Sequence, residues 1–156
     1  MLRVLTIATC VVFGASLLAG IGRPTPVEAH VGATGIVKER MDLMKGLGDA
    51  LKGLARVFKG EEVYDAARVA AAARRIEEGS GDHMLRLFPA GSTAHPSEAR
   101  DAIWRDWAEF ETAAEDLGDR AAALAAVAGD GPEQARAAFA AVAESCKACH
   151  QDFKAD

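Results

Sequence analysis

Apolar residues recur at helical spacing in four stretches of the chain. The first runs from about Thr34 to Lys59, with a seam of Met44, Leu47, Leu51, Leu54 and Phe58. Steps of three and four residues describe one buried face of a helix in a bundle. Gly60 suits its stop. The second stretch, about Val63 to Glu78, has a stripe of Val69, Ala73 and Ile76 among many alanines and ends at Gly79-Ser80-Gly81. The third begins near Ser97, a suitable N-cap with Glu98 in the first turn. Its seam is Ile103, Trp107, Phe110, Ala114, Leu117, Ala121 and Leu124. The short link Gly129-Asp130-Gly131 sends the next helix back antiparallel, and Pro132 suits that helix's first turn. The fourth seam is Ala135, Phe139, Val142, Cys146, Cys149 and Phe153.

Between the second and third stretches, Pro89, Gly91 and Pro96 break residues 82–95 into a loop. The loop nevertheless holds an apolar cluster, Met84, Leu85, Leu87 and Phe88, which needs something to pack on. No run alternates apolar and polar residues convincingly. The pattern therefore predicts an all-α antiparallel four-helix bundle.

The first residues read differently. Arg3 precedes an uncharged run from Val4 to Ile21, and Val27-Glu28-Ala29 resembles a small-residue cleavage site. Residues 1–29 are thus expected to be a secretory signal peptide, with residues 30–156 forming the bundle. The run is long for a signal core, so an uncleaved anchor is the alternative.

Composition narrows the function classes. Of 156 residues, half are hydrophobic but only 6% aromatic, and the net charge is −5. Disorder is disfavoured by the apolar content. Nucleic-acid binding is disfavoured by acidity and the lack of a basic block. Three cysteines are too few for a disulfide scaffold. Cys10 falls in the export segment, which leaves Cys146 and Cys149.

Those two belong to Cys146-Lys147-Ala148-Cys149-His150, the C-x-x-C-H sequence that attaches c-type haem. Two thiols three residues apart can join the two vinyl groups along one porphyrin edge, and His150 can offer an imidazole nitrogen to the iron. Export agrees, because bacteria attach such haem outside the cytoplasm. A thioredoxin-like site would want a βαβ setting, and a zinc site a further ligand at matching spacing. One covalently bound haem c is the expected cofactor.

On these features the mature chain resembles the cytochrome c′ family, which includes cytochrome c-556. The features are Arg40-Met41-Asp42-Leu43-Met44 on the first helix, Phe88-Pro89-Ala90-Gly91 in the loop, Ile103-Trp104, and a haem motif close to the C-terminus. The resemblance implies that Arg40 lies near a haem propionate, a favourable guanidinium–carboxylate contact. It also places Met44 on the distal haem face. In five-coordinate members the matching residue is a bulky non-ligand. In the low-spin c-556 branch it is a methionine that binds iron, and Met/His ligation raises the potential. Alternatively, Met44 fills space beside the haem. Met41 is the nearest rival ligand and Met84 a more remote one. Phe88, Trp107 and Phe110 are candidate haem or core packing residues. Lys154, one turn beyond His150, matches a basic residue near the proximal face.

The expected function is a periplasmic carrier of single electrons between redox partner proteins. The alternative is a five-coordinate cytochrome c′ that binds NO or CO. No acid/base pair or nucleophile argues for an enzyme. The resemblance also implies a homodimer through the first two helices, where Ala66, Ala67, Ala70 and Ala71 would permit close contact.

Overall fold

The computed structural model describes residues 33–155, so the export segment expected over residues 1–29 lies outside the described residues. The chain forms α1 (Gly35–Phe58), α2 (Ala66–Glu78), a short α3 (Gly81–Leu85), α4 (Ala102–Arg105), α5 (Trp107–Val127) and α6 (Pro132–Phe153). The four long helices α1, α2, α5 and α6 make the bundle. Among the described residues there is no strand, and no helix is long and apolar enough to cross a membrane.

Local signals account for the ends of these helices. Gly60 takes φ +79, a conformation that ends α1 without a Cβ penalty. Pro132 occupies the first turn of α6, where its missing N–H costs nothing. The second helix starts later than its apolar pattern suggests. Asp65 accepts a hydrogen bond from the Arg68 amide at 2.9 Å and so caps α2, leaving Val63 exposed. The third helix also departs from expectation. Its seam is interrupted at Asp106 (φ −115, ψ 46), so Ile103 sits on the separate turn α4 and the long helix begins at Trp107.

α2 packs extensively on α5, and α5 on α6; α1 lies against α2 and meets α6 only sparsely. α1 approaches the end of α2 closely. A Cβ added at Gly79 would lie 2.7 Å from Leu47 Cδ2 and 3.1 Å from Leu43 Cδ1. On the α1 seam Leu47, Leu54 and Phe58 are buried, whereas Met44 and Leu51 are only half-buried. On the α6 seam Ala135, Val142 and Phe153 are buried, and Phe139, Cys146 and Cys149 are half-buried. One end of the bundle is a filled core, and the other opens between α1 and α6.

The apolar loop cluster has its packing partner. Met84, Leu85 and Phe88 are buried in the core, and the Phe88 ring meets that of Phe110 edge-on at 4.8 Å. Trp104 Nε1 donates to the carbonyls of Phe88 and Pro89 at 3.0 and 3.1 Å, which ties this loop to α4. Of the four alanines expected on a dimer face, Ala67 and Ala71 are exposed, but Ala70 faces the core.

Candidate functional site

Because Cys146 and Cys149 stand one helical turn apart, their thiols share one side of α6, with His150 next to them. All three line a cavity of about 670 Å³ between α1, α5 and α6. That volume lies within the range of about 300–1,000 Å³ usual for cofactor and ligand sites. Its walls owe their room to small residues, among them Gly48, Ala99, Ala113, Ala114 and Ala143. Phe88, Ile103, Phe110 and Leu117 supply apolar surface. Trp107 does not line it; its ring instead packs against Phe110 at 5.7 Å.

The electrostatics favour neutral groups here. Burial pushes the Cys146 thiol up, and burial with the neighbouring Cys146 and Asp152 carries Cys149 up to about 11. Burial, then the Lys154 ammonium, pushes the His150 imidazole down, against an opposing pull from Glu98. A neutral imidazole is the form that binds a metal. Among the described residues no group of three His, Cys, Asp or Glu side chains is placed to hold an ion by itself. The donor set suits a metal that arrives with its own macrocycle: two thiols for attachment, one imidazole, and an apolar slot.

From α1 come Arg40, Met41 and Met44, all lining the same cavity. Met84 of α3 lines it too, and only 3% of that residue is exposed. Its place in the loop cluster makes it the more remote rival by sequence, yet the fold brings three thioethers to one cavity.

Arg40 is 4% exposed. Nε donates to the Leu87 carbonyl at 3.0 Å, Nη1 to the Ser92 carbonyl at 3.1 Å and Ser97 Oγ at 2.8 Å, and Nη2 to Ser92 Oγ at 2.5 Å. Its guanidinium stands 4.1 Å over the Phe88 ring. Four of its five N–H donors thus bind neutral acceptors in the loop. Arg40 fastens residues 87–97 onto α1, a role its sequence position does not disclose. Lys154, which also lines the cavity, forms an ion pair with Glu98 at 3.1 Å. Ser97 and Glu98 read in sequence as a helix cap and first turn, but no helix begins there; as partners of Arg40 and Lys154 they, like Ser92, carry no sequence signal beyond the need of a buried arginine and a terminal lysine for partners.

The model of the family described as Cytochrome C' matches residues 35–154. The chain belongs to the cytochrome c′ family. A cytochrome c′ from Rhodopseudomonas palustris is 33% identical over 99% of this chain and 97% of its own length. A cytochrome c-556 from Agrobacterium tumefaciens is 36% identical over 77% of this chain and 97% of that protein. Among solved structures, a nitric oxide complex of a cytochrome c prime variant from Alcaligenes xylosoxidans is 30% identical, with TM-score 0.69 over 78% of this chain and 94% of that one. Cytochromes c′ carry one covalently bound c-type haem and act in electron transport. The cavity and the C-terminal cysteine pair of this chain fit that cofactor.

Proposed function

We propose that this member of the cytochrome c′ family is a periplasmic single-electron carrier whose haem would be held by thioethers from Cys146 and Cys149. His150 binds the iron from α6 and Met44 from α1. The haem supplies one-electron chemistry; the chain supplies ligands, an apolar surround and the surface that meets redox partners. The observation that carries this reading is that Met44 and His150, from two different helices, line one cavity beside the cysteine pair. Partial burial pushes the imidazole pKa down, which favours the neutral, ligating form. Met/His ligation raises the potential and holds both oxidation states low-spin, so little has to move on electron transfer. The remaining N–H of Arg40 is free to meet a haem propionate, which would give the buried cation a counter-charge.

Optical spectra of the purified holoprotein test this. Low-spin ferric and ferrous iron at neutral pH is expected, with Met44→Ala converting it to high-spin and opening it to CO. Met41→Ala and Met84→Ala should keep the wild-type spectrum. High-spin iron in the wild type, or equal CO binding rates in wild type and Met44→Ala, would overturn the assignment.

A second reading has its own support. The Alcaligenes cytochrome c prime has been captured with NO, and in another variant with carbon monoxide. Should Met44 only pack on the haem, the same cavity is a gas site. The ferrous wild-type spectrum separates the two readings directly.

A further inference from the structure

Residues 97–100 join the two sides of the cavity. At one end, Ser97 Oγ accepts from Arg40 on α1 at 2.8 Å. At the other, the segment clasps the end of the haem-bearing helix. Ala99 and Lys154 form an antiparallel bridge. The Arg100 amide donates to the Phe153 carbonyl at 2.9 Å, and the Ala155 amide to the Glu98 carbonyl at 2.8 Å. Arg100 Nη1 donates to the Gln151 carbonyl at 2.9 Å. The last carbonyls of any helix lack partners within it. Here Arg100 satisfies two of them, on the residue after His150 and on the last residue of α6. The turn that carries His150 is therefore held against fraying from outside the helix.

The clasp also puts two opposite charges at the cavity. Glu98 and Lys154 both line it with His150, and their side chains pair at 3.1 Å while remaining 63% and 42% exposed. A pair so exposed contributes little to stability. Its effect lies in where the charges are held, because oxidised iron carries one more positive charge than reduced iron.

We propose that residues 97–100 form a strap that positions the haem site, and that Glu98, held at the cavity by its pair with Lys154, lowers the reduction potential through its own fixed negative charge. Glu98 makes no contact with iron in this assignment; its charge favours the oxidised state, and the Lys154 charge opposes it. The strap rests on the reading of His150 as the iron ligand.

The test is spectroelectrochemical titration of the holoprotein at about 0.1 M ionic strength, where the screening length is about 10 Å. Glu98→Gln removes the negative charge and keeps the backbone clasp. It should raise the equilibrium constant for reduction at least threefold, roughly 28 mV at 59 mV per tenfold for one electron. Lys154→Met should lower it by a similar factor, and the double variant should return close to wild type. Glu133→Gln serves as control. It sits at the far end of α6, about 25 Å away at 1.5 Å per residue, beyond the screening length. Its constant should not change. An unmoved potential in Glu98→Gln, or equal shifts in Glu98→Gln and Glu133→Gln, overturns the proposal. If Glu98→Gln does not fold, an unmoved potential in Lys154→Met does the same. The ligand reading fails by a different result, a His150→Ala spectrum identical to wild type. A changed His150→Ala spectrum beside an unmoved Glu98→Gln potential removes the strap alone.

Discussion

Replacing Arg40 by methionine isolates what a buried cation does in this fold. The thioether chain keeps an unbranched apolar stem and removes all the side-chain N–H donors, including the guanidinium that stands over Phe88. Two hydroxyls, on Ser92 and Ser97, can rotate to other partners. The carbonyls of Leu87 and Ser92 cannot, and both lose a donor. Both residues are half-buried, so water partly reaches them and the low end applies, about 1 kcal/mol per orphaned carbonyl. Loss of the contact over Phe88, 4.1 Å to the ring centroid, adds about 0.5–1 kcal/mol. Against this stands relief from burying a guanidinium, whose desolvation already holds the Arg40 pKa down. That relief offsets part of the loss, so a net destabilisation of about 1–3 kcal/mol is expected. Urea unfolding of the holoprotein measures it, and amide exchange locates it. Exchange should accelerate in residues 87–97 and hardly change in the α5–α6 core. Arg40→Lys keeps the charge without the fork and should recover less than half of the loss. A loss under about 0.5 kcal/mol, or acceleration spread evenly over the bundle, would refute the idea that Arg40 fastens the loop.

Two further outcomes are expected at sites outside the arginine network. Tyr64 donates to the Ala128 carbonyl at 2.6 Å, so Tyr64→Phe should cost about 0.5–1.5 kcal/mol in urea unfolding. Burial, with Asp130, raises the phenol pKa, so the fold favours the neutral form. That contribution is complete below about pH 10, the unfolded value, and fades as pH rises through the folded value. A gap between wild type and Tyr64→Phe that persisted unchanged in strong alkali would contradict this. In haem-free protein, Cys149 at about 11 holds roughly 100-fold less thiolate at pH 8 than a thiol at the reference 9.0. Iodoacetamide should label it correspondingly slowly, and labelling as fast as free cysteine would mean that the cavity wall opens without haem.

The alanine-rich, aromatic-poor composition takes on meaning from the cavity. Small side chains on α5 and α6 leave room that a rigid macrocycle fills, so the filled and unfilled ends of the bundle differ in packing by design of the sequence. Haem-free protein should accordingly melt lower and less cooperatively than the holoprotein.

Sequence alone determined what is periodic or local. The seams of α1, α5 and α6 follow from the helical repeat. The stops at Gly60 and before Pro132 follow from backbone freedom and a missing donor. The haem motif lies within one helical turn, so five consecutive residues state its chemistry. What only the tertiary structure decided involves contacts between distant segments. The break at Asp106 and the short α3 left no periodic trace. Met84 joined Met44 because α3 folds the apolar loop cluster back onto the core. Arg40 found its acceptors roughly fifty residues downstream, on a loop where Ser97 reads in sequence as a helix cap rather than as an arginine's partner. The strap that closes on Lys154 depends on backbone amides and carbonyls, which every residue has and no sequence pattern marks. Periodicity reports which face of a helix is buried; only the fold reports what that face meets.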